Sequence, residues 1–253
     1  MAIYAIGDIH GKLSCLESIR QKILVDSKQY SNNKIIYLGD YIDRGPDSYG
    51  VIETFIKNPM HGFKEIFLKG NHEESITDIL DDKSDWDRVC AWLYHGGYNT
   101  LQSYRVDVLK LIGPFEQVSK EFNNFNLNLF GLKTKIMPII KDIIVSHFPP
   151  HHIDFFKYKL KTLHKEQGYF FVHAGIDPDM DIDDQTEEQF FWIRQDFLQS
   201  DKNFGFKVVH GHTPGPIPVN RHNRIGIDTG AYGNGILTAV ALADGKEYFL
   251  QTS

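Results

Sequence analysis

Three times in its first seventy-odd residues the chain runs through a short apolar stretch, stops at a glycine and delivers a metal-ligand type of side chain. Ile3-Tyr4-Ala5-Ile6 ends at Gly7-Asp8, with His10 two residues on. Ile35-Ile36-Tyr37-Leu38 ends at Gly39-Asp40, and Ile66-Phe67-Leu68 leads to Gly70-Asn71-His72. Between these runs Leu13, Leu16, Ile19 and Ile23, then Val51, Ile52, Phe55 and Ile56, recur at helical spacing, with Ser48 expected to cap the second helix. Strand-helix alternation of this kind builds layered α/β folds, in which functional groups gather at the carboxyl ends of strands. The spacing therefore predicts Asp8, His10, Asp40, Asn71 and His72 on one edge of one sheet.

The pattern returns late in the chain. Tyr169-Phe170-Phe171-Val172 leads into His173-Ala174-Gly175, and Val208-Val209 into His210-Gly211-His212-Thr213-Pro214. A helix is expected around Gln189 to Leu198. Further strands are expected at 224–228 and 235–241, with an edge strand at 248–250. The stretch 105–168 reads as mostly helical, with one excursion that shapes the substrate entrance. No linker or low-complexity tract divides the chain, so a single domain over 1–253 is expected.

Composition narrows the class of partner. Lys and Arg number 27 against 33 Asp and Glu, a net charge of -6, and no basic run stands out. A surface for nucleic acid is therefore not expected. No apolar run is long enough for a membrane span and no signal-peptide pattern precedes the first strand. The two cysteines, Cys15 and Cys90, form no C-x-x-C pair. A reducing cytoplasm is the expected setting. Nothing in the pattern specifies an oligomeric state.

Asp8, His10, Asp40, Asn71, His173 and His212 form a donor set of carboxylate, amide oxygen and imidazole, without thiolate. Such a set suits Mn, Fe or Zn rather than a structural cysteine site. Six donors exceed one tetrahedral site and suffice for two adjacent cations that share a carboxylate. A pair of metals about 3.5–4 Å apart can clamp both the attacking and the leaving oxygens of a displacement at phosphorus.

Five blocks together resemble a known family. Gly7-Asp8-Ile9-His10-Gly11, Gly39-Asp40-Tyr41-Ile42-Asp43-Arg44-Gly45, Gly70-Asn71-His72-Glu73, His173-Ala174-Gly175 and Gly211-His212-Thr213 look, in order, like the signature of phosphoprotein-phosphatase-type metallophosphoesterases. The compact bacterial serine/threonine phosphatase branch is the most similar. A weaker patch covers Trp92 to Tyr104. The resemblance implies a calcineurin-like α/β fold, a two-sheet sandwich flanked by helices. It also implies two divalent cations, manganese first, with iron or zinc as alternatives. Asp8 and His10 would hold one cation, Asn71, His173 and His212 the other, and Asp40 both. His72 would be the general acid, oriented by Asp43. Arg44 and Asn71, with Arg194 from Phe191-Trp192-Ile193-Arg194, would hold the phosphate.

Each residue also has a plainer reading. Asp8 alone would be a turn former, Asp43-Arg44 a surface pair before Pro46, and Arg194 a solvated arginine on an amphipathic helix. Glu73 would either brace Arg44 or stand exposed at a helix start. His210 reads as a packing residue, Asp228 as part of a turn, and His147, His151 and His152 as loop or surface residues. His95 stands where relatives carry asparagine, so no substrate contact is assigned to it. The expected activity is hydrolysis of phosphoserine and phosphothreonine in proteins by a hydroxide that bridges the metals. Symmetrical hydrolysis of dinucleoside tetraphosphates is the alternative on the same fold, and a non-catalytic phosphate-binding scaffold the remote one. The Asp43-Arg44 pair favours the first.

Overall fold

Strands β1 (Ala2–Ile6), β2 (Asn33–Tyr37) and β3 (Phe63–Leu68) lie side by side and parallel, and β1, at the centre, is apolar and buried throughout, as a strand covered on both faces must be. The structure is a computed structural model that describes the backbone of residues 1–107 and 129–253, and side chains outside 108–136. Among the described residues two mixed sheets are present. The first has the order β11-β10-β1-β2-β3-β4 and the second β5-β6-β7-β9-β8. In the first, β4 (Leu160–Lys161) extends the parallel set, whereas β10 (Thr238–Ala243) and β11 (Lys246–Gln251) close the other side antiparallel. In the second, β6 (Tyr169–Val172), β7 (Lys207–His210) and β9 (Arg224–Gly226) run parallel, flanked by β5 (Leu163–Glu166) and β8 (Val219–Asn220).

The period of two along each strand sorts the core. Ile3, Ala5, Ile36 and Leu38 pack between the sheets on Phe171, Val209, Ile225 and Ile227. The alternate residues Tyr4, Ile6, Ile35 and Tyr37 face the helices, among them α1 (Leu13–Asp26), α2 (Ser48–Lys57), α3 (Asn71–Leu80), α4 (Trp86–Trp92) and α5 (Tyr98–Ser103). Each such large side chain, wholly buried, contributes about 1.5–3 kcal/mol. On the outer face of the second sheet Phe170, Val172 and Val208 pack with Phe190, Phe191 and Phe197. The carboxyl ends of β1 and β2 in one sheet and of β6 and β7 in the other thus lead into the same edge of the sandwich. That fold class is the expected one.

Several local expectations are corrected. Asp47, not Ser48, caps α2: its carboxylate accepts from the Gly50 amide at 2.7 Å. Ser48 instead accepts the Asp43 amide. The stretch 105–168 holds the helices α6 (Leu129–His147) and α7 (Pro150–Tyr158), but it then supplies β4 and β5, one strand to each sheet. Residues 108–128 of it lie outside the described ones. The helix expected at 189–198 is broken into α8 (Glu187–Trp192) and α9 (Gln195–Gln199), and Arg194 stands in the break with φ -132° and ψ -96°. Among the described residues no helix is long and apolar enough to cross a membrane.

Candidate metal centre

The loops after β1, β2, β3, β6 and β7 bring their polar side chains together. The turn after β1 brings Asp8 and His10, that after β2 brings Asp40, Asp43 and Arg44, and α3 (Asn71–Leu80) starts with Asn71 and His72. The loops after β6 and β7 bring His173 and His212. Asp8, His10, Asp40, Asp43, Asn71, His72, His173 and His212 are all buried. His10, Asp40, Asp43, Arg44 and His212 adopt positive φ between 46° and 72°. Left-handed backbone at non-glycine residues costs of order 1–3 kcal/mol each and persists where the surroundings over-determine it. Two glycines make room for the carboxylates. A Cβ at Gly70 would lie 2.2 Å from Asp40 Oδ1, and one at Gly211 2.0 Å from Asp8 Oδ1.

Asp40 is the hub. Its Oδ2 lies 3.5 Å from His10 Nε2 and 3.8 Å from His72 Nε2, and its Oδ1 lies 3.3 Å from His173 Nε2. Two compact donor groups share it: His10, Asp40 and His72 on one side, Asp40, His173 and His212 on the other. Asn71 Oδ1 sits 2.9 Å from both His173 Nε2 and His212 Nδ1. Asp8 stands one step aside, its carboxylate accepting the His212 amide at 3.0 and 3.2 Å.

The second layer fixes which nitrogen each ring offers. His10 Nδ1 donates to the Ile42 carbonyl at 2.8 Å and His173 Nδ1 to that of Leu38 at 2.9 Å, which leaves both Nε2 atoms as lone-pair donors. His10 Nε2 and His212 Nε2 are buried with no hydrogen-bond partner among the described residues. A buried polar atom without a partner is costly, and the His10 Nε2 lone pair, 3.5 Å from Asp40 Oδ2, is the arrangement that a cation repairs. The residues present therefore fit a pair of divalent cations.

Without cations, protons balance the buried charges, and metal binding has to displace them. Burial pushes Asp8 well above the usual carboxylate range, with help from Asp228 and Asp40. Burial also opposes ionisation of Asp40, yet the imidazoles of His173 and His72 outweigh it and hold Asp40 well below that range. His10 is driven down to about 3 by burial. Burial lowers His173 too, but Asp40 and Asp8 win and carry it to about 9.

His72 belongs to a separate device. Its Nδ1 donates to Asp43 Oδ2 at 2.6 Å. That carboxylate is wholly buried and also accepts from the Trp92 indole at 2.8 Å and, through Oδ1, from the Thr100 hydroxyl at 2.5 Å. Burial disfavours the imidazolium of His72, but Asp40 and Asp43 overcome it and raise its pKa above the ordinary value. Arg44 Nη2 lies 3.2 Å from His72 Nε2, and its guanidinium covers the Tyr232 ring at 4.6 Å. Exposed Arg194 donates to the His212 carbonyl and the Thr213 hydroxyl. Arg44, Arg194, Asn71 and His72 line one cleft of about 480 Å³, together with Trp192, Arg88 and His95.

The matching family is the calcineurin-like phosphoesterases, whose model covers residues 1–234. The chain belongs to that family. It is 28% identical to bis(5'-nucleosyl)-tetraphosphatase PrpE [asymmetrical] of Oceanobacillus iheyensis, over 98% of this chain and 91% of that protein. It is also 30% identical to serine/threonine-protein phosphatase 1 of Salmonella typhimurium, over 38% of each. A solved structure provisionally described as a diadenosine tetraphosphatase covers 100% of this chain and 94% of its own, with a TM-score of 0.60 at 16% identity, which shows the fold alone. A calcineurin-like phosphoesterase acts on phosphate esters with a dinuclear metal centre, and the His and Asp clusters above are of the kind such a centre needs.

Three residues of this site escaped the sequence reading. Glu73 neither braces Arg44 nor stands exposed. It is wholly buried and accepts the amides of Asp40 at 2.8 Å, Tyr41 at 2.7 Å and Gly70 at 3.0 Å, tying the β2 turn to the start of α3. Burial and then Asp40 push its pKa to about 7. Trp92 and Thr100 cradle Asp43, in the patch where the resemblance was weak. Capping-box spacing was the available signal for Glu73. Glu73→Ala is expected to leave three buried amides without an acceptor, at about 1–3 kcal/mol each. Urea unfolding should show a loss of at least ~3 kcal/mol, and a loss under ~1 kcal/mol would contradict this role.

Proposed function

We propose that this phosphoesterase hydrolyses phosphoserine and phosphothreonine monoesters of proteins, with two divalent cations, manganese first and iron or zinc next. The observation that carries the reading is the buried Asp43–His72 pair at 2.6 Å, beside the ligand nitrogen His10 Nε2 that lacks a partner. A serine or threonine alkoxide is a poor leaving group and needs a proton as the bond to phosphorus breaks. Asp43, held by Trp92 and Thr100, keeps His72 oriented and favours its charged form. His72 Nε2 then faces the cleft and gives its proton to the departing oxygen.

The other residues divide the remaining work. Asp8 and His10 would hold one cation and Asn71, His173 and His212 the other, with Asp40 shared between the two donor groups. When bound, the two cations supply the Lewis acidity that brings water's pKa toward about 7 and neutralises the phosphoryl oxygens. Arg44 and Arg194, which both line the cleft, hold those oxygens through charge-assisted hydrogen bonds, with the Asn71 amide in the same cleft. Neither Cys15 nor Cys90 forms a disulfide, which supports a cytoplasmic setting.

A second reading, hydrolysis of dinucleoside tetraphosphates, has two supports. The PrpE relative matches nearly the whole chain, and its name specifies asymmetrical cleavage rather than the symmetrical cleavage first considered. Exposed aromatic rings also flank the arginines: Trp192 on one side, Tyr94 and Tyr232 on the other. Rings so placed can stack nucleobases. The leaving group of an anhydride needs little protonation, however, so the fully built Asp43–His72 acid favours the ester. A silent scaffold has no support, because no ligand position and no proton donor is replaced.

Initial rates of the Mn²⁺-loaded protein on a phosphothreonine peptide and on diadenosine tetraphosphate separate the two readings. A larger kcat/KM on the peptide is expected. A larger value on the dinucleotide would move the enzyme to nucleotide hydrolysis at the same centre.

A further inference from the structure

A second group of metal-ligand side chains lies outside the cleft, between α2 and α7. Glu53 projects from α2 toward His151 and His152 in the first turn of α7. Both rings aim Nε2 at the same carboxylate oxygen, His151 at 2.7 Å and His152 at 2.9 Å. The rings meet edge to face with centroids 4.6 Å apart. The ligand atoms all lie within 4.8 Å of one another. His152, expected at the surface, is wholly buried; the side chains of Glu53 and His151 are 31% and 38% exposed. Solvent therefore reaches two donors while the third is anchored in the core.

We propose that Glu53, His151 and His152 form a third divalent-cation site, distinct from the catalytic pair and suited to a borderline ion such as Zn²⁺ or Ni²⁺. Two imidazole nitrogens and one carboxylate oxygen are the donors such ions prefer, and water completes the open positions. The outer shell is built. His152 Nδ1 lies 2.7 Å from the hydroxyl of buried Tyr104, whose ring stacks on Phe148 at 3.6 Å, and Tyr49 packs on the imidazole. Metal-bound histidines are held by such a partner on their other nitrogen.

The protons balance. Without a cation, His152 Nε2–H donates to Glu53 and Nδ1 accepts the Tyr104 hydroxyl. With a cation, Nε2 gives its lone pair to the metal, Nδ1 carries the hydrogen, and the Tyr104 oxygen accepts it. The ring stays neutral throughout. Asp47 caps α2 just after Arg44, so a cation here ties the helix behind the phosphate-binding loop to α7. No residue is shared with the catalytic centre, and the site does not depend on the substrate reading.

Equilibrium dialysis of the full chain against Zn²⁺, with metal counted by atomic emission, tests the site. Wild type is expected to hold one more Zn²⁺ per chain than His151→Ala or Glu53→Gln, and Zn²⁺ to raise the Tm of wild type more than of either. The affinity lost should be at least the ~10–100-fold that losing an outer-shell partner costs. Asp40→Asn, which disturbs only the catalytic pair, should lose a further Zn²⁺ when His151→Ala is added. Equal Zn²⁺ counts in wild type and both folded single variants would overturn the site and leave Glu53 a plain hydrogen-bond acceptor of the two rings.

Discussion

Asp40→Asn is expected to abolish turnover, lowering kcat/KM by more than the ~10²–10³-fold that loss of one electrostatic contact costs. Both donor groups of the centre share this carboxylate, so its loss weakens each at once. Asparagine has the same shape, and its amide oxygen can still accept the His72 amide that Asp40 Oδ1 accepts at 3.2 Å. The fold should therefore survive while the anionic link between His10 and His173 is lost. Metal content after dialysis should fall along with activity, and circular dichroism should not change. Wild-type activity in a variant that keeps its metals would sink the role given to Asp40.

His72→Asn is expected to lower kcat on a phosphothreonine peptide by about 10²–10⁴-fold with little change in KM, the range for a lost general acid. On p-nitrophenyl phosphate, whose leaving group needs no proton, the loss should be under about tenfold. Equal losses on both substrates would make His72 a metal or phosphate contact instead. The pH profile carries a second sign. The acid form must be present, so activity is retained below the His72 pKa and lost as pH rises through it. Burial opposes that form, but Asp40 and Asp43 hold the pKa above the ordinary value. Asp43→Asn should move the alkaline limb to lower pH.

Much of this centre was legible because its parts are local. A β strand that ends in Gly-Asp and is followed by His fixes where those side chains go, whatever the rest of the chain does. What escaped was set by contacts far apart in sequence. Trp92 and Thr100 reach Asp43 across 49 and 57 positions, so no spacing rule finds them. Glu73 looked like an ordinary helix-start acid, since its two partner amides at Asp40 and Tyr41 lie on another strand turn. The strands β4 and β5 were missed because Leu160-Lys161 and Leu163–Glu166 are short, polar edge strands without apolar alternation. The helix around Arg194 was drawn too long, because periodicity does not register two residues, Ile193 and Arg194, that leave helical backbone. His152 read as a surface residue until α2 and α7 were brought together around Glu53.

The central claim is two-metal hydrolysis of a phosphate ester. Its most direct test is a titration of chelator-stripped protein with Mn²⁺, with the initial rate on a phosphothreonine peptide as readout. No turnover is expected in the stripped protein, and the rate should reach its plateau only once the second equivalent of metal has bound. Turnover without metal, or a plateau after a single equivalent, would contradict the account.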